Sequence, residues 1–329
     1  MSGGPDFTAI PIVNVSSLTA SAAERADTIA HLDDACRRVG FFYLTGHGLD
    51  VTRLESLARA FFAQPLETKL AIAMARGGRA WRGYFPLGGE LTSGAPDWKE
   101  GIYFGAELPD DDPRVRAGTP LHGKNLVPGE PPELGPAVFA HIAACTRLGH
   151  LVMGALGTAL GFAEGELRAR YLADPLVLFR IFHYPAPPPE QEHAWGVGEH
   201  TDYGMLTILA QDDCGGLEVR SRDGWVPAPP IPGALVCNLG DMLERLSAGR
   251  YRSTPHRVRN RSGRDRISMP FFFDPSFDAV VPAPADFVDD TVARWDGQSI
   301  GAVTGTYGEY LVRKVSRVFP ALHGDVLAR

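Results

Sequence analysis

Cysteine is scarce in this chain. Only four cysteines occur among 329 residues, and none has the short paired spacing of a disulfide framework or a zinc knuckle. They are Cys36, Cys145, Cys214 and Cys237. We therefore expect reduced, buried thiols and a cytoplasmic protein.

The chain also lacks an excess of basic residues and an unbroken apolar run. A net charge of −7 and a pI near 5.8 argue against a general polyanion binder, so no nucleic-acid partner is expected. The most apolar long stretch, 142–162, is interrupted by Arg147 and His150, which favours a buried helix over a membrane span. No basic segment followed by an apolar one opens the chain, so we expect no secretory signal.

The remaining composition is that of a soluble globular protein, with 44% hydrophobic and 22% charged residues. Apolar residues recur at helical spacing through much of the first half. Helices are predicted near 22–39, 51–61, 65–74, 136–160 and 164–172, with short strands at 9–15 and 40–50. Ser21 or Thr19 is expected to cap the first helix and Gly40 to end it. The Gly- and Pro-rich section 76–132 carries many aromatic residues, which predicts an irregular segment that packs on the rest.

The residue pattern changes after Asp174, where short β-rich runs separated by turn signals replace the helical periods. Strands are predicted at 177–184, 204–211, 216–220, 225–228, 234–239, 250–259 and 266–273, and a closing helix at 306–319. Strands at this spacing favour a sandwich or a double-sheet jelly roll, flanked here by N-terminal helices and a C-terminal helix. We predict one domain, 1–329, with a mainly helical region 1–174, a jelly-roll core 175–280 and a C-terminal helical region 281–329.

The stretch GVGEHTDYGMLTILAQ, residues 196–211, contains the first candidate metal ligands. On a strand, His200 and Asp202 would share one face and could reach a single ion. A third ligand is expected from the β-rich half, which offers His183, His193 and His256. Two imidazoles and one carboxylate leave three positions open, as in non-haem Fe(II) sites, and zinc is the alternative metal.

A second candidate site lies ten residues after His256. By the same alternation, Arg266 and Ser268 would point to one side of a strand. A guanidinium fork beside a hydroxyl is a good receptor for a carboxylate, which indicates an acidic small molecule. Among other polar residues, Asp241 is interpreted as a helix cap, and the Arg-rich segment 250–266 as a solvated strand face without interleaved aromatic residues.

These segments resemble the isopenicillin N synthase-like branch of the Fe(II)/2-oxoglutarate-dependent oxygenases. The resemblance rests on HTDYGMLTILAQD, NLGDMLERLSAGRYRSTPHRV and RISMPFFF, and on IPIVNV, GFFYLTGHG and FFAQPLETKLAI nearer the N-terminus. It spans nearly the whole chain.

The resemblance implies a role for each candidate residue. His200, Asp202 and His256 would be the iron ligands, Arg266 and Ser268 would bind the distal carboxylate of 2-oxoglutarate, and Tyr184 would hydrogen-bond that carboxylate. Phe182 stands where many relatives carry Asn, which implies a more apolar pocket.

The implied activity is oxidation of a C–H bond in a small-molecule metabolite with O₂. Hydroxylation is the usual outcome, with desaturation or ring closure as variants, and 2-oxoglutarate is cleaved to succinate and CO₂. Two alternatives stay open: an iron-dependent oxidase or cyclase that does not use 2-oxoglutarate, and a non-catalytic ligand-binding relative. The aromatic section 81–104 and the C-terminal helix are expected to cover the pocket.

Overall fold

The computed structural model describes residues 6–191, 193–283, 297 and 299–318. The helices in chain order are α1 Ala22–Arg38, α2 Thr52–Phe62, α3 Leu66–Leu70, α4 Pro113–Arg116, α5 Leu134–Ala159, α6 Glu166–Tyr171, α7 Asp241–Leu246 and α8 Tyr307–Val318. The strands are β1 Ile12–Asn14, β2 Phe41–Thr45, β3 Gly83–Phe85, β4 Glu100–Gly105, β5 Pro175–Tyr184, β6 Val197–His200, β7 Leu206–Gln211, β8 Leu217–Ser221, β9 Gly224–Pro227, β10 Leu235–Leu239, β11 His256–Val258 and β12 Arg266–Ser276.

Two sheets form the centre of the fold. The larger sheet has the strand order β1-β2-β10-β7-β12-β5-β4-β3, and the smaller has the order β6-β11-β8-β9. Neighbouring strands are antiparallel except β1 and β2. The prediction of a jelly-roll core flanked by helices is confirmed. Strands β1 to β4 come from the region 1–174 and extend the same sheet; the division into one domain with three regions stays a prediction.

The start and end of α1 follow local sequence signals. The Ser21 hydroxyl accepts a hydrogen bond from the Glu24 backbone N–H, and the Glu24 carboxylate accepts one from the Ser21 backbone N–H, which is a capping box. Ser21 is therefore the cap, and Thr19 is not. Gly40 follows the helix with φ +72°, a conformation that favours glycine, and a Cβ there would lie 2.2 Å from the Arg252 carbonyl oxygen.

The apolar helix α5 is long and apolar enough to cross a membrane by length and composition alone. In the fold it packs against α1, α2, α6 and strands of the larger sheet. Its buried face includes Val138, Cys145, Val152 and Leu156. This placement agrees with the predicted buried helix.

The predicted strand at 250–259 is wrong in extent, because only His256–Val258 is paired as a strand. The backbone before it is held by other partners. The Ser253 N–H donates to the Glu244 carboxylate at 2.6 Å, and the Thr254 hydroxyl donates to the Val39 carbonyl at 2.6 Å. These contacts anchor the segment to α7 and α1 rather than to a sheet.

The section 76–132 is irregular, as predicted, and it contributes β3 and β4 to the edge of the larger sheet. Its aromatic side chains are largely buried, among them Trp81, Tyr84 and Tyr103. It therefore forms one wall of the protein interior rather than a free linker.

Candidate metal centre

His200 and Asp202 meet through a turn rather than through strand alternation. Strand β6 ends at His200, and Asp202 follows in the loop that leads to β7. The loop is fixed at Asp202, whose carbonyl oxygen accepts the Asp241 backbone N–H at 2.8 Å. The expectation that both residues lie on one strand is therefore wrong, although their side chains do come together.

The third candidate ligand is His256, because β11 pairs with β6 and places His256 directly opposite His200. The two imidazole centroids are 4.2 Å apart. Nε2 of His200 lies 3.9 Å from Oδ1 of Asp202, and Nε2 of His256 lies 4.0 Å from the same oxygen. One ligand atom from each of the three residues lies within 4.8 Å of the others, close enough to hold one metal ion.

The other two candidate histidines lie elsewhere. Nδ1 of His183 lies 2.8 Å from the Glu100 carboxylate, and the ring stacks on Phe62. His193 is exposed in the loop before β6. Neither belongs to the cluster formed by His200, Asp202 and His256.

Hydrogen bonds orient each ligand atom toward the centre. Nδ1 of His200 lies 2.8 Å from the Gly198 carbonyl, and Nδ1 of His256 lies 3.3 Å from the Thr254 carbonyl, which leaves both Nε2 atoms as acceptors. Thr207 donates to Oδ2 of Asp202 at 2.5 Å. Because that oxygen is occupied, Oδ1 remains for the metal.

The protonation states suit metal binding. Burial lowers the pKa of His256 to about 4 and also lowers the pKa of His200, so both rings are neutral at pH 7. Burial alone would raise the pKa of Asp202, but the two histidines and the hydrogen bonds from Thr207 and Asn238 outweigh it and hold that pKa below its usual value. Two neutral imidazoles and one carboxylate match the two-histidine, one-carboxylate set that suits Fe(II); zinc accepts the same donors.

A cavity between the two sheets opens onto the three ligand residues. The volume open to the centres of water molecules is about 110 Å³. Its lining comes from both sheets, from the section 76–132 and from α8. Apart from the metal cluster it includes Phe41, Glu90, Thr92, Lys99, Tyr103, Leu178, Arg180, Phe182, Tyr184, Thr207, Leu209, Leu217, Asn238, Ser268, Phe272, Asp274, Leu311, Val315 and Val318. The predicted cover from 81–104 and the C-terminal helix therefore does contribute to the cavity wall.

Ser268 and Tyr184 line one end of this cavity, and Arg266 lies beside Tyr184, behind the lining residues. Arg266 pairs with Tyr184 across β12 and β5, and its guanidinium lies over the Tyr184 ring at 4.8 Å. Ser268 and Tyr184 line the cavity. Nε of Arg266 donates to the Gly215 carbonyl at 2.6 Å, and Nη2 lies 3.4 Å from Oε1 of Gln211. Nη1 is buried with no hydrogen-bond partner among the described residues.

The unpaired Nη1 atom of Arg266 makes the end of the cavity near Ser268 and Tyr184 suited to an acidic ligand. Arg266 is completely buried, and a buried guanidinium with an unmet donor carries a desolvation cost that a carboxylate would relieve. A ligand carboxylate could receive hydrogen bonds from the guanidinium and from the Ser268 hydroxyl. The residues present therefore fit the distal carboxylate of 2-oxoglutarate.

Sequence reasoning missed a set of buried charges on another wall. Nζ of Lys99 lies 3.0 Å from Glu90 and 2.8 Å from Asp97, and Tyr103 donates to Glu90 at 2.6 Å. The two carboxylates outweigh the effect of burial and raise the pKa of Lys99. The only sequence signal was the presence of acidic and basic residues inside an aromatic-rich section.

The expectation drawn from Phe182 holds for most of the cavity lining but not for this wall. The Phe182 ring does line the cavity, but Nζ of Lys99 lies 4.7 Å from the ring centroid. Charged groups from a neighbouring loop therefore occupy the space beside Phe182. The pocket is not apolar on this side.

Two secondary interpretations also change. Asp241 is the first residue of α7 and not its cap, since Gly240 holds the cap position; the buried Asp241 carboxylate accepts a hydrogen bond from Tyr310 at 3.0 Å. The Arg-rich segment is not free of aromatic neighbours, because the Trp195 ring lies 3.7 Å from the Arg259 guanidinium. That tryptophan comes from a distant part of the chain.

Comparison with known proteins agrees with this site. Residues 10–130 match the model "non-haem dioxygenase in morphine synthesis N-terminal", and residues 167–275 match "2OG-Fe(II) oxygenase superfamily". The chain belongs to the Fe(II)/2-oxoglutarate oxygenase family. It is accordingly an oxidoreductase of the non-haem iron class, which sets aside the alternative of a non-catalytic relative.

Three curated relatives cover almost the whole chain. A protein of Dictyostelium discoideum named "Probable iron/ascorbate oxidoreductase" is 44% identical over 97% of each chain. The 1-aminocyclopropane-1-carboxylate oxidase of Dictyostelium mucoroides is 34% identical over 96% of each chain. A homoarginine-6-hydroxylase of Arabidopsis thaliana is 37% identical over 95% of this chain and 90% of its own.

Solved structures show the same fold. A 2OG-Fe(II) oxygenase family protein from Caulobacter crescentus is 33% identical, with a TM-score of 0.76 over 94% of this chain and 99% of its own. A full-length protein of Neurospora crassa, solved in complex with α-ketoglutarate and thymine, is 27% identical, with a TM-score of 0.76 over 93% of this chain and 96% of its own.

Proposed function

We propose that this protein is an Fe(II)- and 2-oxoglutarate-dependent oxygenase that oxidises a C–H bond of a small-molecule metabolite. His200, Asp202 and His256 would hold the iron. Arg266, Ser268 and Tyr184 would bind the distal carboxylate of 2-oxoglutarate. The observation that carries the use of 2-oxoglutarate is the buried Nη1 of Arg266, which has no partner among the described residues and lies over a ring that lines the cavity.

Other residues of the chain would orient the iron ligands and exclude water. Iron held by His200, Asp202 and His256 would supply activation of O₂ coupled to the cleavage of 2-oxoglutarate to succinate and CO₂. Thr207 and Asn238 fix Asp202 so that only Oδ1 faces the metal. The apolar side chains of α8 help to exclude bulk water, which protects a reactive step from side reactions.

A second candidate is an iron oxidase that does not consume 2-oxoglutarate. The relatives named 1-aminocyclopropane-1-carboxylate oxidase and iron/ascorbate oxidoreductase favour it. The unpaired guanidinium donor of Arg266 favours the first candidate, because a carboxylate is the group that this buried donor lacks. Formation of succinate separates the two.

The test begins with anaerobic addition of Fe(II) and 2-oxoglutarate, which should give a visible charge-transfer band if the 2-oxo acid chelates an open iron site. Succinate release is then measured with L-homoarginine, 1-aminocyclopropane-1-carboxylate and thymine as first test substrates. His200→Ala is the blank. A metal-loaded protein that gives neither the band nor succinate would refute the use of 2-oxoglutarate.

The free cysteines bear on the cellular location of the protein. All four cysteines, which lie in the described part of the chain, are free thiols, as expected for a reducing compartment. A cytoplasmic enzyme acting on a small molecule, without nucleic-acid or membrane partners, is the setting that we propose.

A further inference from the structure

Arg180 lines the cavity, and its guanidinium makes no hydrogen bond to a described residue. It stands on β5, four residues before Tyr184, on the same face of the strand. Its nearest acidic neighbour is Glu90, 3.8 Å from Nη1, and the Glu90 carboxylate is already engaged by Tyr103 and Lys99. Nε of Arg180 is buried and unpaired. The guanidinium therefore has an acidic group nearby but lacks an acceptor at hydrogen-bond distance.

The guanidinium is held in one plane by rings on the two flanking strands. Its central carbon lies 4.1 Å from the Tyr103 ring centroid on β4 and 4.8 Å from the Phe272 ring centroid on β12. Stacking on both faces leaves the N–H edge as the part that can bond. The side chain keeps 15% of its surface accessible, and since Arg180 lines the cavity, this edge can reach a ligand inside it.

Asp274, on the neighbouring strand β12, is an acidic residue that lacks a basic partner among the described residues. It lines the same cavity from β12, and Tyr307 donates to its Oδ2 at 2.5 Å. No cation pairs with it among the described residues. Burial accordingly raises the pKa of Asp274 to about 7, against the smaller lowering effects of Tyr307 and Arg180.

Asp274 packs closely against Gly204, in the loop that carries the candidate metal ligand Asp202. A Cβ on Gly204 would lie 1.6 Å from Oδ1 of Asp274, so only glycine at that position lets the carboxylate approach. Gly204 is two residues after Asp202 along the chain. The free carboxylate oxygen therefore lies against the loop that carries a candidate iron ligand.

Arg180 and Asp274 thus place a guanidinium and a carboxyl group in one cavity without pairing with each other. We propose that they form a zwitterion site: Arg180 binds the carboxylate and Asp274 binds the protonated nitrogen of a substrate of the amino-acid class. This inference rests on the proposed function, because it names the substrate class of the same cavity. A molecule that carries both charges would satisfy both side chains at once, whereas an anion or a cation alone would satisfy one.

The site is separate from the one proposed for 2-oxoglutarate. Arg266, Ser268 and Tyr184 occupy the start of β12 and the end of β5, whereas Asp274 and Arg180 lie further along these antiparallel strands in the other direction. One cavity can therefore hold a keto diacid at one end and a zwitterion toward the other. The test must address the second end alone.

The experiment is isothermal titration of the anaerobic enzyme loaded with Fe(II) and 2-oxoglutarate. Four probes share a six-carbon chain: L-norleucine and ε-aminocaproate carry both charges, hexanoate carries only the carboxylate, and hexylamine only the ammonium. We expect at least one zwitterion to bind about 10-fold or more tightly than both singly charged probes, as charge-assisted hydrogen bonds predict. The preferred zwitterion reports the spacing between the two charges.

Variants then assign the two ends. Asp274→Asn is isosteric and can keep the Tyr307 contact; it should reduce zwitterion binding about 10-fold or more while hexanoate binding is unchanged. Arg180→Gln should reduce hexanoate and zwitterion binding together, and Arg180→Lys should retain part of both. Unchanged hexanoate binding shows that Asp274→Asn is folded. Arg170→Gln, an exposed arginine on α6, is the control that should change nothing.

Two results would overturn the zwitterion site. One is hexanoate or hexylamine binding as tightly as both zwitterions, and the other is no binding of any of the four probes at millimolar concentration. Failure of the proposed function has a different signature, because the charge-transfer band with 2-oxoglutarate would then be missing before any probe is added.

Discussion

Asn238 donates a hydrogen bond of 2.7 Å to Oδ2 of Asp202, the carboxylate oxygen that does not face the two histidines. The donor stands on β10 and the acceptor in the loop after β6, so the contact joins the larger sheet to the metal cluster. Thr207 donates to the same oxygen from β7. Strands β7 and β10 thus fix the direction of a carboxylate that belongs to the loop after β6.

Removal of this contact should weaken metal binding. We expect Asn238→Ala to raise the dissociation constant for Fe(II) about 10- to 100-fold, because second-layer partners of metal ligands have effects of that size. Anaerobic titration against a competing chelator measures it. Thr207→Ser, which retains the hydroxyl, should bind nearly as the parent does. An unchanged constant in a folded Asn238→Ala protein would mean that Asp202 needs no such support.

Replacement of Arg266 should act on 2-oxoglutarate and not on the metal. Arg266→Lys keeps the charge but loses the planar fork, so we expect the KM for 2-oxoglutarate to rise about 10-fold or more. Succinate release over a range of 2-oxoglutarate concentrations measures it. The matched control is Arg264→Lys, two residues earlier and exposed, which pairs with Asp213 at the surface. Equal effects of the two variants would contradict the assignment.

Lys99 should be important for stability. It is 1% exposed and compensates both Glu90 and Asp97. Lys99→Met removes the cation that contacts both buried carboxylates, which should lower the free energy of unfolding by about 3–5 kcal/mol. Urea unfolding at pH 7 measures the change.

The control for Lys99 is a lysine whose ion pair is exposed. Lys124 pairs with Asp110 at the surface, and such pairs contribute about 0–1 kcal/mol. Lys124→Met should therefore unfold almost as the parent does. Similar losses in both lysine variants would argue that methionine itself, rather than the unpaired carboxylates, causes the effect.

His141 should make the fold sensitive to acid. Burial against α5 neighbours and the Phe179 ring lowers its pKa to about 4, whereas an unfolded histidine titrates near pH 6.5. Between these values the unfolded state binds the extra proton. Stability from this group is therefore complete above about pH 6.5 and is lost as the pH falls toward 4, by about 3 kcal/mol.

The measurement compares urea unfolding of the metal-free protein at pH 7.5 and pH 4.5. His141→Leu removes the titrating ring, so its stability should differ less between the two pH values than that of the parent. His256, whose pKa also lies at about 4, leaves part of the dependence in both proteins. A parent and variant with the same pH dependence would exclude His141 as a source.

Local patterns were enough to predict the main elements, whereas the choice of His256 as the third ligand came from the family resemblance. Strand periodicity located β5, β7 and β12, and the Ser21 capping signal located the start of α1. A jelly roll aligns distant strands, so the pattern alone indicates only that this ligand comes from the β-rich half. The way Asp202 reaches the centre was not predictable, since it depends on a loop held by the Asp241 backbone N–H.

The remaining parts of the site depend on contacts between residues far apart in the chain. Asn238 reaches Asp202 across 36 residues. Arg180 lies beside Glu90 because Tyr103, opposite Arg180 on β4, holds the Glu90 carboxylate. Periodicity describes which face a residue occupies and not which loop covers that face. For the same reason Phe182 alone could not show that Lys99 would lie beside its ring.

Helix α8 gives the cavity part of its apolar wall through Leu311, Val315 and Val318 but supplies none of the three candidate iron ligands. Substitutions along this helix could therefore change which molecules fit while the oxygen chemistry is left intact. Descendants of one ancestral enzyme could diversify their substrates by varying a short amphipathic segment, without any loss of the reaction during the transition.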